Sequence, residues 1–479
     1  MKMKKMKVLM VTAEAEPFAK TGGLGDVLGA LPQALKQQEI DVRVLMPRYK
    51  IIPPIYREKM KYLGYIYLDV NWRHQYCGIF SLKKEGVTYY FLDNEFYFGS
   101  NHLYDEMDLE RFSFLSYGAF ELLSFLNFQP DILHLHDWHT GAIAALFDYK
   151  YRHLPFYQNM KIVYTIHNLQ YQGKFDANHV KDMLPLSDVY YDGYLANFMA
   201  WGIRYAHKIT TVSPSYKDEI QTEQYGEGLN GLLYQNKDKL IGVLNGIDEK
   251  RYNPELDNEI YYKYTKETVF QIKPLNKKML LQELQIDDEI KVPLIGVVTR
   301  LATQKGIDLI IGALYQILKE DIRVVVLGSG DKNYEQALLS LMQQYPTKLK
   351  VVLKFDNTLA HKIYAGSDLF LMPSIFEPCG LAQMICLKYG TLPIVREVGG
   401  LKDTIQSYDE YRQVGNGFSF TYYNLNDFIY TIYRAIGLYY KKDVFCQIME
   451  NAMNCDFSWH ASAIKYKKIY SDCLKGKKE

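Results

Sequence analysis

The chain has 479 residues, of which 48% are hydrophobic and 23% charged, and its formal net charge is +1. This length is sufficient for two domains, and the near-neutral charge excludes the broad basic surface expected of a protein that binds nucleic acid or an anionic membrane. No apolar run reaches the roughly 18 residues of a membrane-spanning helix. The six cysteines are scattered without a CxxC pair, which indicates reduced thiols and a cytoplasmic protein.

The N-terminal segment is predicted to be the first buried strand, at 8–13. Lysines up to Lys7 followed by VLMVTAEA resemble a secretory signal, but the apolar run is too short and a glycine-rich turn follows at once. That turn, KTGGLGD at 20–26, precedes a predicted helix at 26–37. Its backbone N–H groups and the helix N-terminus would attract an anion beside the Lys20 ammonium. An ordinary tight turn explains so short a pattern equally well.

Short apolar runs alternate with helix-length segments through the first half, which is typical of a parallel sheet wrapped by helices. Predicted strands are 8–13, 42–46, 132–136, 162–166, 209–212 and 240–244, and predicted helices are 26–37, 111–125 and 140–149. Ligands of such sheets bind beyond the carboxyl ends of the strands. The first half is therefore predicted to carry its site where these strands end.

Histidines follow two of these predicted strands. His134, His136 and His139 form an H-x-H-x-x-H pattern, but no acidic or cysteine partner is fixed nearby by spacing, so a metal site is the less favoured interpretation. His167 follows the strand at 162–166 and should face the ligand end of the sheet. A buried structural histidine is the more common outcome for such a residue.

A polar stretch rich in tyrosine and lysine, from 253 to about 278, is predicted to link the two halves. The alternation then restarts with predicted strands at 293–298, 323–327, 350–353, 369–372 and 392–395, which indicates a second doubly wound domain. The tail at 459–474 has the pattern of one helix, and that pattern does not fix its place in the fold.

Two groups of polar residues follow strands of the second half. Arg300 and Lys305 are separated by a turn, and an arginine fork with a lysine point charge could neutralise one diphosphate. Two surface cations on a solvated loop are the alternative. Further along, the segment FEPCGLAQ at 376–383 opens a predicted helix. The N–H groups of its residues Gly380, Leu381 and Ala382 would form a second anion site. Glu377 could bind sugar hydroxyls there or merely cap the helix.

Several common motifs are absent. The sequence has no G-x-x-x-x-G-K-[ST] phosphate loop, no G-x-S-x-G elbow and no G-x-G-x-x-G after the first strand. It also has no D-x-D pair, so metal-dependent sugar–nucleotide binding of that type is not predicted. No metal or other cofactor is expected.

A series of motifs in fixed order resembles the bacterial glycogen synthases and plant starch synthases. The motifs are KTGGLGDV (20–27), HLHDWHT (134–140), TIHNLQYQG (165–173), TTVSPSY (210–216), LNGID (244–248), TRLATQKGID (299–308), FEPCGLAQ (376–383), YGTLPIVREVGGL (389–401) and DFSW (456–459). The resemblance covers nearly the whole chain. It implies an α/β protein of the GT-B fold, with two Rossmann-like doubly wound domains facing an interdomain cleft. The N-terminal domain would be 1–255, with the helix at 459–479 packing back on it, and the nucleotide-sugar-binding domain 256–458.

The resemblance also implies an activity: transfer of glucose from ADP-glucose to the non-reducing end of an α-1,4-glucan (glycogen), with retention of configuration. In such an enzyme, Arg300 and Lys305 would hold the diphosphate, Glu377 would bind hydroxyls of the donor glucose, and His167 would lie beside the anomeric carbon. The remaining residues implied to bind substrate are Lys20, Gly23, Asp26, Asp137, Asn168, Asn245, Gly380, Leu381 and Ala382. The sequence assigns no oligomeric state.

The chain departs from the family pattern at three positions. Relatives usually have arginine at the position of Ile375, threonine at that of Ala382 and threonine near Val398. Two further hypotheses therefore stand beside the synthase: a related glucosyltransferase with a sugar-phosphate acceptor, and a paralogue that binds glucan without turnover. Retention of the charged residues at the site argues against the non-catalytic paralogue.

Overall fold

The structure is a computed structural model that describes residues 5–186 and 191–475. The chain divides into two compact units, one comprising Met1–Gly246 with Trp459–Glu479 and the other Ile247–Ser458. The boundary predicted at 255 lies inside the second unit, whose first residue is Ile247. Among the described residues, no helix combines the length and apolar character that crossing a bilayer requires.

The first unit is built around a nine-stranded sheet. The strands of this unit are β1 (Lys7–Val11), β2 (Asp41–Pro47), β3 (Lys61–Val70), β4 (Arg73–Lys84), β5 (Val87–Asp93), β6 (Ile132–His136), β7 (Lys161–Ile166), β8 (Lys174–Asp176), β9 (Tyr191–Asp192), β10 (Leu195–Asn197), β11 (Lys208–Thr211) and β12 (Leu240–Gly242). The large sheet has the order β12-β11-β7-β6-β1-β2-β5-β4-β3, and β8, β10 and β9 form a small separate sheet. The seven strands from β12 to β5 are parallel, whereas β4 and β3 are antiparallel to their neighbours.

Helices cover this sheet. They are α1 (Gly23–Gln37), α2 (Pro54–Arg57), α3 (Glu95–Phe98), α4 (Asp108–Phe125), α5 (Gly141–Leu146), α6 (Ala177–Met183), α7 (Phe198–Tyr205), α8 (Pro214–Glu219) and α9 (Asn230–Gln235), with 3₁₀ turns at Trp138–Thr140 and Lys237–Lys239. The helix predicted at 140–149 is shorter than expected, because α5 ends at Leu146 and the chain widens into a π turn at Phe147–Tyr151.

The second unit contains a six-stranded sheet that is parallel throughout. Its strands are β13 (Leu294–Val298), β14 (Arg323–Leu327), β15 (Leu349–Val352), β16 (Leu369–Met372), β17 (Leu392–Arg396) and β18 (Phe418–Phe420), in the order β15-β14-β13-β16-β17-β18. That order is the doubly wound arrangement of a Rossmann fold, which reverses direction between β13 and β16. Its helices are α10 (Val269–Glu283), α11 (Ile307–Ile317), α12 (Lys332–Gln344), α13 (Asn357–Gly366), α14 (Ala382–Lys388), α15 (Gly399–Thr404), α16 (Leu425–Tyr439) and α17 (Lys442–Met453).

The last helix, α18 (Trp459–Lys475), belongs to the first unit and packs against α1. The Tyr470 hydroxyl lies 2.8 Å from Nδ1 of His134, and the Ser462 hydroxyl donates to the Leu244 carbonyl at 2.6 Å. These contacts fix the position of a helix that the sequence pattern left unplaced.

The prediction of a linker up to about 278 is wrong, because α10 begins at Val269 and carries two buried lysines. The Lys273 ammonium donates to the carbonyls of Ala365 and Tyr389 and to the Thr391 hydroxyl, at 2.7 to 3.0 Å. Lysines are mostly exposed, so a lysine-rich stretch indicated a solvated segment. Oxygen partners supplied by α13 and by the turn that follows α14 make the burial of this one possible.

Candidate functional site

The glycine-rich loop of the first unit is held in place by hydrogen bonds to Glu14, a residue that the sequence analysis did not single out. Its buried carboxylate accepts hydrogen bonds from the Thr21 N–H and hydroxyl, both at 2.7 Å, from the Gly22 N–H at 3.3 Å and from the Tyr104 hydroxyl at 2.5 Å. Two of the loop's N–H groups are therefore occupied within the protein. An anion at this loop would have to use the N–H groups of Gly23 and the residues after it, in the first turn of α1.

The approach to that first turn is open. A Cβ added to Gly22 or Gly23 would meet no atom within 4 Å, whereas one on Gly25 would come within 2.7 Å of Lys20. The glycines thus have two separate uses. Gly22 and Gly23 leave space for a group to reach the backbone, and Gly25 lets the Lys20 side chain cross the start of the helix.

The Lys20 ammonium lies between two carboxylates, at 2.5 Å from Asp26 and 3.1 Å from Glu16. Burial raises the pKa of Asp26 to about 6, although Lys20 opposes that rise. Burial acts to lower the pKa of Lys20, but the two carboxylates outweigh it and raise the pKa. Lys20 is therefore a fixed cation at the open end of α1.

Asp137 directly follows β6 and has a backbone φ of 59°, which is rare for a residue other than glycine. Its carboxylate accepts the N–H of His167 at 2.9 Å and that of Asn168 at 3.4 Å, both just beyond β7. Burial raises the pKa of Asp137 to about 7, and those two N–H groups oppose the rise. The aspartate therefore ties together the ends of two neighbouring strands.

His167 is buried and neutral. Its Nε2 lies 3.0 Å from Nδ1 of His136, and burial lowers its pKa to about 3. His134 has separate partners, with its Nε2 2.6 Å from the Thr165 hydroxyl. Among the described residues, no group of three or more His, Cys, Asp or Glu side chains is arranged to hold a metal ion. The histidines of the H-x-H-x-x-H pattern are packed into the unit's interior.

Asn245 follows β12 and is also buried. Within the described part of the chain its side-chain oxygen has no hydrogen-bond partner. A buried acceptor without a donor is costly, so such an atom points to a ligand or water.

In the second unit, Lys305 and Glu377 form an ion pair of 2.6 Å, in which the side chains are 18% and 8% exposed. The Ser374 hydroxyl donates to the same carboxylate oxygen at 3.1 Å. Glu377 follows β16, and Lys305 lies in the 3₁₀ turn Thr303–Lys305 that follows the neighbouring strand β13. Lys305 and Glu377, both predicted from the sequence, are thus brought together at the carboxyl end of this sheet, where ligands of such folds bind.

Gln304 links the same two loops, and the sequence analysis did not identify it. Its side-chain N–H donates to the Phe376 carbonyl at 3.2 Å, and its backbone carbonyl accepts the Ile375 N–H at 2.8 Å. Its side-chain oxygen lies 3.4 Å from Nη2 of Arg300, which is exposed. Gln304 therefore fixes the two loops relative to each other, and Arg300 lies beside the Lys305–Glu377 pair.

The predicted helix after Glu377 begins later than expected. Gly380 has a φ of 72°, which an α-helix does not allow, so α14 starts at Ala382 with Leu381 as its N-cap residue. The three N–H groups proposed as an anion site therefore belong to a tight turn and the beginning of a short helix. Gln383 fixes that turn by donating to the Gly380 carbonyl at 3.2 Å.

Close backbone packing also fixes Glu377 from behind. A Cβ on Gly399 would come within 2.0 Å of the Glu377 carbonyl oxygen, and the Gly400 N–H donates to that oxygen at 3.0 Å. Beside it, the guanidinium of Arg396 donates to the Ile375 carbonyl at 2.6 Å. A cation from β17 therefore lies next to the position where relatives usually carry an arginine.

Comparison with known proteins identifies the family of the chain. Residues 7–235 match the family profile described as starch synthase catalytic domain, and residues 282–440 match glycosyl transferases group 1. The chain is 50% identical to a glycogen synthase from Desulforamulus reducens, over 98% of this chain and 99% of the other. It is 48% identical to a glycogen synthase from Geobacillus thermodenitrificans, over 98% of both.

Solved structures are similar as well. The catalytic domain of starch synthase IV from Arabidopsis thaliana, bound to ADP and acarbose, matches with a TM-score of 0.91 and 32% identity, over 98% of this chain and 100% of that one. A sucrose-phosphate synthase from Thermosynechococcus elongatus, 14% identical with a TM-score of 0.61, shares the fold. The two Rossmann-like units are those of the GT-B fold. The chain belongs to the family of glycogen synthases and starch synthases, and it is a glycosyltransferase with the function of a glycogen synthase.

Proposed function

We propose that the chain transfers glucose from ADP-glucose to the non-reducing end of an α-1,4-glucan, with retention of configuration. The observation that carries the proposal is the largely buried ion pair between Lys305 and Glu377, beside Arg300. The glycogen synthase relatives support the glucan acceptor, and the starch synthase bound to ADP supports the nucleotide. A cytoplasmic location belongs to the same proposal, and no metal is required by it.

The proposed reaction breaks the bond between the anomeric carbon and the diphosphate, and the electron pair leaves with ADP. Negative charge then concentrates on the diphosphate while the sugar becomes oxocarbenium-like. Arg300 and Lys305 neutralise that charge, and fixed cations in such a role contribute several kcal/mol, of which one donor supplies about 3. A glucan hydroxyl forms the new bond on the face that ADP leaves, and its proton departs with the phosphate.

Glu377 serves the sugar side of the proposed site. The Lys305 ammonium has three donors, so it can keep Glu377 at 2.6 Å and still donate to a phosphate oxygen. The carboxylate then accepts hydrogen bonds from hydroxyls of the donor glucose. One lysine thereby sets the distance between the phosphate and the group that orients the sugar.

The other predicted residues have supporting roles in the proposal. His167 lies beside the anomeric carbon, and its neutral ring adds no positive charge next to an oxocarbenium-like sugar. Lys20 and the N–H of Gly23 contact phosphate oxygens, as do the N–H groups at the start of α14. The residues assigned to substrate binding are Lys20, Gly23, Asp26, Asp137, Asn168, Asn245, Gly380, Leu381 and Ala382.

The decisive measurement is release of ADP or UDP by the purified protein, given each glucose donor with and without glycogen. Glycogen-dependent ADP release is expected. No release from either donor by folded protein would refute the proposal and favour a paralogue that binds glucan without turnover; reverting Ile375→Arg and Ala382→Thr would then be the next step. Release that depends on a sugar phosphate instead of glycogen would favour the other glucosyltransferase.

Lys305→Ala tests the site itself. Loss of one donor to the developing charge should lower kcat/KM by about 10²–10³. Lys332→Ala is the matched control, because Lys332 also pairs with a glutamate at 2.6 Å but is 83% exposed. Equal activities of the two variants would show that the Lys305–Glu377 pair is not part of the active site.

A further inference from the structure

The hairpin of β3 and β4 carries an aromatic surface that the proposed reaction does not use. Tyr62, Tyr65, Tyr67 and Tyr76 lie on it and are 40 to 55% exposed. The other face of the hairpin is buried. Leu68, on that face, is only 1% exposed. Antiparallel strands with one solvated face normally place polar side chains there. Contiguous aromatic groups on such a face indicate a binding surface.

The rings are arranged as a bent platform with a wall. The rings of Tyr65 and Tyr76 have centroids 5.7 Å apart and are inclined by 30°. The Tyr76 ring lies flat along its strand and reaches over Gly78. A Cβ added to Gly78 would come within 2.8 Å of the Tyr76 hydroxyl. Gly78 is opposite Tyr65 in the pairing of the strands. The absence of a side chain at 78 therefore leaves room for a ring that faces outward.

Tyr67 forms the wall. Its ring is nearly perpendicular to those of Tyr65 and Tyr76, at 87° and 78°. His74 stacks on Tyr67 with centroids 4.5 Å apart, and Nδ1 of His74 lies 2.6 Å from the Asp69 carboxylate. The wall is thereby supported from behind by two side chains. A hydrogen bond with Tyr62 is the main cause that raises the pKa of Tyr76 to about 12.

We propose that this platform binds a chain of the α-glucan, separately from the proposed catalytic residues. Flat rings with hydroxyls at their rims suit a sugar, which offers an apolar C–H face and a polar edge. The four tyrosines offer rings and hydroxyl groups, and the Asp69 carboxylate beside them is engaged by His74; the glucan on which this family acts carries no charge. The sheet order puts four strand spacings between β1 and β3, about 19 Å, so the platform is distinct from the glycine-rich loop after β1.

A second copy of this chain is the competing occupant, since β3 is an edge strand. That edge is poorly suited to strand pairing. The register shifts between Tyr62 and Gly64, and Gly64 has a φ of 140°. Irregularities of this kind protect edges from pairing with another chain. The observations therefore favour the glucan.

The test compares glycogen binding by the full-length protein and by the double variant Tyr65→Ala/Tyr76→Ala, in affinity gels that contain glycogen and no nucleotide donor. Binding should weaken about tenfold, while KM and kcat with maltotriose as acceptor stay unchanged, because a short acceptor needs only the catalytic residues. Tyr65→Phe/Tyr76→Phe keeps the ring faces and should retain most of the binding. Tyr430→Ala, a 71% exposed tyrosine in the second unit, is the control.

Unchanged glycogen binding by the folded double alanine variant would overturn the proposal. A dimer of the parent protein that dissociates on the same substitution, seen by sedimentation, would instead identify a second copy as the occupant. The proposal relies on the proposed function only for the choice of glucan. A parent protein that binds glycogen through these tyrosines but does not release ADP would refute the proposed reaction and leave the platform supported.

Discussion

Glu14 offers the sharpest test of how the glycine-rich loop is organised. Its carboxylate is the acceptor for the N–H groups of Thr21 and Gly22, for the Thr21 hydroxyl and for the Tyr104 hydroxyl. Glu14→Gln keeps the shape and one acceptor oxygen. The two hydroxyls can reverse their roles and accept from the new amide, whereas the backbone N–H groups cannot. The substitution therefore acts mainly on two backbone hydrogen bonds.

The size of the effect follows from those contacts. Hydrogen bonds to a charged group contribute about 1.5–3 kcal/mol, compared with about 1 for a neutral pair. Glu14→Gln should therefore lower the free energy of opening the glycine-rich loop by about 2 kcal/mol. Glu14→Ala removes the acceptor of all four donors. Thr21 and Gly22 are exposed, so water replaces part of what is lost, and at about 1 kcal/mol for each donor the substitution should lower the free energy of opening this loop by about 4 kcal/mol.

Hydrogen exchange of the Thr21 and Gly22 amides measures this loop directly. A loss of about 2 kcal/mol corresponds to exchange about 30-fold faster, and one of about 4 kcal/mol to about 10³-fold. The KM for the nucleotide sugar should rise in the same order, because the N–H of Gly23 loses its fixed position. Glu58→Gln, at an exposed glutamate of the same unit, should change neither.

Equal exchange rates in Glu14→Gln and Glu58→Gln would refute the reasoning about charge-assisted hydrogen bonds. Faster exchange in Glu14→Ala without any change in KM would show that the loop does not bind the nucleotide sugar.

Three other perturbations have defined outcomes. Gln304→Ala removes the contacts to Phe376 and Arg300 and should raise the donor KM about fivefold while the glucan KM stays the same, measured in initial-rate assays. Lys273→Met leaves buried carbonyls unpaired and should lower the free energy of unfolding by about 3 kcal/mol in denaturant titrations; an unchanged midpoint would contradict this. Burial lowers the pKa of His134 to about 3 from a usual value of 6.5, so between these pH values the unfolded chain binds a proton that the folded chain does not. The folded protein therefore loses stability as pH falls through this range. In His134→Gln the free energy of unfolding should fall less steeply with decreasing pH, by about 1.4 kcal/mol per pH unit. An identical slope in the variant would be evidence that the imidazole is charged in the folded protein.

Much of the candidate site could be predicted because its signals are local. The residues Lys20, Asp137, His167 and Glu377 each follow a strand that is apparent from a short apolar run, and ligands of parallel sheets bind where strands end. Glycine positions were equally informative, because a glycine-rich turn leaves the backbone open to a ligand. The family resemblance rested on these same segments. The helix after Glu377 was misplaced by two residues or so because φ at Gly380 does not follow from its identity.

The sequence by itself therefore determined the fold class, the position of most strands along the chain and the family, since hydrophobic periodicity and short motifs depend on neighbours along the chain. Only the tertiary structure decided which groups hydrogen-bond to each other, which are buried and which share a surface. It showed that Glu14 takes two N–H groups of the glycine-rich loop, that Lys273 is buried, and that Tyr65 and Tyr76 form one surface. The partners of each come from elsewhere in the sequence or from another strand. Burial and hydrogen bonding depend on such distant partners, so no local pattern encodes them.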